Sequence, residues 1–376
     1  MKPLNGLLVV ALEQAVAAPY CSSRLADAGA RVIKIERVEG DFARHYDHVV
    51  QGESAYFVWL NRGKESVCLN IKEEDDRRLL LSMLDKADVF IQNLAPGACA
   101  RAGFDSQQLR KRNKKLITVD ISGYGESGPY RDMKAYDLLV QCETGLTAIT
   151  GARDEPGRVG VSVCDIACGM YSHTAILEAL IERSISGVGK GIQVSLFDAL
   201  ADWMTVPLLY QEYGGEAPKR AGLNHPSIAP YGAYTCGDGH QVVISIQNHR
   251  EWRSFCEVVL QMPEMVEHHL FRENVDRCEN RPALDKRINE VFGHRKRTEV
   301  IEFLKAGKVA FGSLNSVADL SRHPQLRRME VETPAGPVQL VCPPALAVGE
   351  AADEATRFGR VPTLGEHSDA IRNEFR

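Results

Sequence analysis

The chain predicts an α/β fold, with a large domain on a mostly parallel sheet followed by a smaller α+β domain, and three observations carry that expectation. Short β-branched and aliphatic runs alternate with helical stretches through the first half of the chain. Composition shifts after Gly214, where Gly215, Pro218, Gly222, Pro226 and Pro230 accumulate. A second, shorter set of strand and helix signals follows that shift.

The first strand is expected over Gly6–Leu12 and the second over Arg31–Ile35, with a helix around Tyr20–Ala28 between them, which makes a β-α-β unit. Strands over Ser66–Ile71, Val89–Gln92 and Leu116–Ser122 alternate with helices over Glu73–Lys86 and Ser106–Arg112, and the acidic start of the first of these helices suits its dipole. Helices near Tyr136–Thr150 and Cys168–Ser184, a strand over Gly191–Leu196 and a helix from Asp198 complete this part. The expected organisation is a large domain over 1–214, a linker over 215–230, a small α+β domain over 231–330, and a tail over 331–376 returning to the large domain. In the small domain, strands are expected at Tyr231–Thr235 and Gln241–Ile246, with helices around Glu251–Leu260 and Thr298–Ala306.

With 376 residues, 44% of them hydrophobic and 25% charged, the chain has the material for two or three packed cores. A net charge of -5 argues against a general nucleic-acid or membrane partner, because those surfaces select for basic proteins. Ten cysteines without a regular framework read as reduced thiols, which makes the cytoplasm the expected compartment. Glu13 interrupts the short apolar run Leu7–Leu12, so a signal peptide is not expected, and no window is long enough for a membrane-spanning helix.

Val161–Gly169 places Asp165 among small and apolar residues, close to a helix start. Removing an ionised carboxylate from water costs several kcal/mol, so the residue either caps the helix or serves as a nucleophile or base. Cys164 and Cys168 flank it, but no further pair completes a zinc site, and no metal is expected. Gly123 to Gly128 matches G-x-G-x-x-G, yet no helix is expected to begin inside it. The segment therefore reads as a tight loop whose amides approach some other ligand. Asn93-Leu94-Ala95-Pro96-Gly97 follows a strand and is itself followed by Arg101. Arg37 and Lys134 also follow strands, so cations recur after successive strands, as an anionic ligand at the sheet edge would require. His225, in Asn224–Gly232, lies either in a rigid linker or in a substrate-facing loop. No nucleophile elbow of the G-x-S-x-G type supports a serine hydrolase.

In that order the chain resembles the family III CoA-transferases, the group of formyl-CoA transferase, carnitine CoA-transferase and the α-methylacyl-CoA racemases. The resemblance rests on Pro3–Gly6, Leu25–Glu36, Asn61–Ser66, Asn93–Gly97, Ile121–Gly125 and the closing Leu364–Ser368. It implies a Rossmann-like large domain, an interlocked homodimer with its site between the large domain of one subunit and the small domain of the other, and Asp165 as nucleophile. It further implies CoA contacts from Arg37, Asn93, Arg101, Gly123, Lys134 and Tyr136. The acyl-CoA thioester and a small carboxylate are then substrates, with no permanently bound cofactor. Tyr136 stands where the racemases have their essential His, and a phenol with a reference pKa near ~10 is a poor exchange base, which favours transfer over racemisation. Ala17-Ala18-Pro19 replaces a common Ala-Gly-Pro, and the glycine-rich loop of formyl-CoA transferase is not evident, which argues against formyl or oxalate specificity. His225–Gly232 looks most like the itaconyl-CoA or mesaconyl-CoA transferase branch, with His225 as a contact for the second carboxylate.

Overall fold

A computed structural model describes residues 2–345 and 358–376. As far as Trp203 the chain runs in order through β1 (Leu8–Leu12), α1 (Ala17–Asp27), β2 (Arg31–Glu36), α2 (Ala55–Asn61), β3 (Lys64–Cys68), α3 (Glu74–Lys86) and β4 (Val89–Gln92). There follow α4 (Ala98–Arg101), α5 (Ser106–Arg112), β5 (Ile117–Ser122), α6 (Asp137–Glu143), α7 (Leu146–Ile149), α8 (Val163–Ser186), β6 (Gly191–Ser195) and α9 (Leu196–Trp203). The six strands pair in parallel in the order β3-β2-β1-β4-β5-β6, with Val9 opposite Val32 on one side and Val89 on the other. The order reverses direction between β1 and β4, the place where ligands gather in such sheets.

Strand alternation sorts the core onto two faces. Val9 and Ala11 join Val89, Ile91, Val119 and Ile121 beneath α1, α8 and α9. Val10 and Leu12 join Ile33, Ile35, Val67 and Phe90 beneath α3, α5 and the C-terminal helix Ser368–Phe375. That last helix returns across the molecule. Arg31 bonds both Glu65 and Glu374, while Ser66 and His367 exchange hydrogen bonds through N–H to Nδ1 (3.1 Å) and N–H to O (2.9 Å).

The chain forms two compact units, one of 1–146, 158–208 and 327–376, the other of 147–157 and 209–326. The segment 147–157, which falls inside the sequence-based large domain, is tied within the second unit by Arg220, whose guanidinium bonds the carbonyls of Ala148, Ala152 and Arg153. The second unit has an antiparallel sheet of β7 (Tyr231–Thr235), β8 (Gln241–Ser245) and β9 (Ala310–Ser313), backed by a core around Trp252, Phe255 and Phe292. The tail carries regular structure. β10 (Arg328–Thr333) and β11 (Gly336–Val341) form a hairpin that buries Met329 and Val331 by simple alternation. Residues 346–357 of that tail lie outside the described residues. Among the described residues no helix is long and apolar enough to cross a membrane.

Candidate active site

Asp165 is the third residue of α8, and the N-cap is Ser162, whose side chain makes no capping bond. The capping reading of Asp165 is therefore corrected, because another residue does that work. Asp137, the first residue of α6, accepts the Cys164 N–H with Oδ1 at 2.8 Å and the Gln141 Nε2–H with Oδ2 at 2.8 Å. Gln141 also accepts the Val159 N–H at 2.9 Å, so α6 fixes the segment that leads into α8. The Arg158 guanidinium stands 3.7 Å from Asp137.

Asp165 is left half-buried, with no hydrogen bond or ion pair among the described residues. Burial, and then the charge of Asp137, pushes its carboxyl up to about 7. One turn further along α8, Gly169 lets α1 approach closely; a Cβ there would lie 2.7 Å from the Ala17 carbonyl oxygen and 2.9 Å from the Tyr20 Cβ. Ala17 and Ala18, small and buried, complete the fit.

The turn between β1 and α1 is held by buried polar side chains. Ala15 adopts a left-handed φ of 64°, and its N–H donates to Asp41 Oδ1 at 3.1 Å. The Gln14 N–H donates to Asn93 Oδ1 at 2.9 Å, and Asn93 Nδ2 donates to the Gln14 oxygen at 2.8 Å, a two-point clip across the β1–β4 switch point. Beneath it Lys34 Nζ bonds Asp41 at 2.9 Å, and Lys64 Nζ bonds Glu13 at 2.7 Å. Glu36 takes the Arg44 guanidinium, the Ser66 hydroxyl (2.6 Å) and the Asp41 N–H (3.0 Å). That ion pairing holds Glu36 down at about 2 against the opposing effect of burial.

Asp41 also caps the short 3-10 helix Phe42–His45, which leads into Tyr46. Burial, then Asp41, Asp165 and Tyr136, push the Tyr46 phenol up to about 12. Tyr46 meets Tyr56 edge-on at 5.5 Å. This aromatic rim, Asp41 and Asp137 were not singled out in the sequence. The acidic start of α6 right after Tyr136 was the available signal for Asp137.

Arg37 follows β2, Arg101 ends α4 after β4, and Lys134 lies between β5 and α6; all three are exposed. Parallel pairing puts the segments that carry them at one edge of the sheet. Arg101 rests on the Pro96 carbonyl, while the side chains of Arg37 and Lys134 have no ion pair or hydrogen bond among the described residues. Tyr136 is 66% exposed and is the N-cap residue of α6, so its ring is accessible. Gly123 has a packing reason as well, since a side chain there would collide with Ala135, and its carbonyl accepts the Phe197 N–H at 3.0 Å. The next helix after the glycine loop is α6, so the loop lacks the helix start that dinucleotide binding uses. Asn93 has its side-chain amide engaged with the Gln14 backbone. His225 lies in the second unit, stacked on Tyr231 at 5.2 Å, with Nδ1 accepting the Ser227 N–H at 3.2 Å. Burial and the neighbouring Arg281 lower its pKa.

The sequence matches the CoA-transferase family III model over residues 4–368. It is 35% identical to the acetyl-CoA:oxalate CoA-transferase of Acetobacter aceti, over 99% of this chain and 96% of that one. It is 29% identical to the succinyl-CoA:mesaconate CoA-transferase of Haloarcula marismortui, over 100% and 96%. A solved CAIB/BAIF family protein from Brucella suis is 34% identical and superposes with a TM-score of 0.84 over the whole of both chains. An uncompensated carboxylate at a helix start, cations at the edge of a parallel sheet and a family match spanning nearly every residue agree, and the chain is an enzyme of CoA-transferase family III.

Proposed function

We propose that this enzyme moves CoA from an acyl-CoA thioester to a small carboxylic acid, with Asp165 as nucleophile and four- or five-carbon dicarboxylates such as succinate, itaconate or mesaconate as the acids. The observation that carries this reading is the state of Asp165: half-buried, without a cation, and raised to about 7 in the first turn of α8. Its carboxylate attacks the thioester carbonyl, the C–S bond breaks, and the electron pair leaves with the CoA thiolate, giving an aspartyl-acyl anhydride. CoA then attacks the aspartyl carbonyl to form an enzyme thioester and release the donor acid. The acceptor carboxylate next attacks that thioester, and the returning thiolate takes the new acyl group. Arg37, Arg101 and Lys134 bind the CoA phosphates, and amides at the uncapped start of α1 stabilise the tetrahedral oxyanions.

The succinyl-CoA:mesaconate relative supports dicarboxylates as substrates. The acetyl-CoA:oxalate relative keeps oxalate among the acids to be assayed, against the argument drawn from Ala18. A homodimer is part of the same reading, supported by Ile181 and Ile185 exposed on the outer face of α8. Hydroxylamine added with an acyl-CoA is expected to trap an acyl derivative on Asp165, and Asp165→Ala is expected to abolish CoA exchange. Undiminished exchange by that variant defeats the proposal. Deuterium entering the α-position from heavy water without CoA transfer indicates the racemase instead.

A further inference from the structure

We propose that Asp137 is a positioning residue for Asp165: it caps the helix that carries the nucleophile and keeps a second negative charge beside it. The inference rests on the reading of Asp165 as nucleophile. Asp137 comes from a different helix, is nearly buried, and bonds the amide of the residue immediately before Asp165. A helix N-terminus attracts an anion, and here that place is taken by Asp137, which leaves Asp165 free to react.

The charged and titratable groups around Asp165 are few. From α6 comes Asp137, and from the segment before α8 comes Arg158, which is half-exposed and aimed at Asp137. From the end of the 3-10 helix comes Tyr46, and from the N-cap of α6 comes Tyr136. On α8 itself the thiols of Cys164 and Cys168 are pushed up by burial and by neighbouring acids, and Asp198 on α9 acts on Cys168. Asp137 is therefore the charge that acts on Asp165 after burial has acted.

This arrangement has a chemical use. A more basic carboxylate is a stronger nucleophile toward a thioester. When Asp165 is acylated it loses its negative charge while the thiolate carries the electron pair away, so repulsion from Asp137 ends at that step. The free enzyme is raised in energy relative to the anhydride, which offsets part of the anhydride's own high energy.

The test is the pH dependence of kcat/KM for CoA exchange in the wild type, Asp137→Asn, Asp137→Ala and Asp165→Asn, with thermal melting to confirm that each is folded. Asp137→Asn keeps an oxygen for the Cys164 amide and loses the charge. Its acid limb is expected to move down by roughly half to one pH unit, with the plateau falling several-fold. Asp137→Ala is expected to show the same shift together with a lower melting temperature, because the cap is also gone. An acid limb that stays in place in both variants overturns the proposal. Asp165→Asn is expected to be inactive. Wild-type exchange by that variant defeats the nucleophile reading itself, whatever the Asp137 variants do.

Discussion

Two groups of sequestered carboxylates lie in the first unit, and they are treated in opposite ways. Glu13, Glu36 and Asp41 are buried against Lys34, Lys64 and Arg44, and Glu36 is held down at about 2. Asp165 has no ion pair among the described residues, feels the charge of Asp137, whose own neighbour is the half-exposed Arg158, and is raised to about 7. Both environments remove water, so burial alone does not distinguish them. Cations do: a carboxylate matched by ammonium and guanidinium groups is structural, while one left beside another acid is in a high-energy state that chemistry can relieve.

The comparison can be broken most strongly on its paired side. Lys34→Ala leaves Asp41 and Glu13 short of a partner in a fully buried site, and a loss of about 3–5 kcal/mol is expected in urea unfolding. A loss below about 1 kcal/mol would show that the cluster tolerates unmatched charge. Glu36→Gln acts through pH. The native pKa is lowered, so its stabilisation is fully present above the unfolded value near ~4.5 and disappears as pH falls through about 2. The variant is expected to be less stable by about 3 kcal/mol at pH 7 and to converge with the wild type near pH ~2.

Asp165→Asn has the opposite sign. A carboxyl whose native pKa is raised penalises folding once it ionises, fully above about 7, and the penalty is absent below the unfolded value near ~4. The variant is expected to be more stable than the wild type by about 1–3 kcal/mol at pH 8 and equal to it near pH ~4, as melting curves at the two pH values will show. The smallest effect belongs to Asn93→Ala, which removes both bonds to Gln14 at a cost of about 1–2 kcal/mol. It is expected to lower kcat more than it raises KM, since it loosens the turn leading to α1; an effect confined to KM would return Asn93 to the CoA contacts.

The sheet was legible because its strands are apolar runs bounded by turn residues. Val89–Gln92, Ser106–Arg112 and Tyr231–Thr235 appear with the expected limits. Asp165 stood out because a charge among small apolar residues is rare. The start of α8 was placed five residues late, because Cys164 and Asp165 read as flanking sequence until Asp137 is seen to cap them. The polar cluster was hidden for a related reason. Lys34 and Lys64 sit within strands, where a lone lysine reads as solvent-facing, and only the register that sets β2 between β1 and β3 brings them to Glu13 and Asp41. The hairpin β10–β11 was masked by Pro334 and Pro337, which lie in its turn and at the margin of β11.

The C-terminal helix sets a schedule for biosynthesis. Glu374 reaches back to Arg31, and His367 to Ser66 on the edge strand β3, so these strands lack those neighbours until residues 367–374 have been made. On a ribosome that adds about 5–20 residues each second, the early strands wait many seconds for contacts that the last helix brings. The segments of the second unit, 147–157 and 209–326, are complete before that point, while the first unit still lacks these closing contacts. The second unit is therefore complete in sequence before the first, although the first begins earlier.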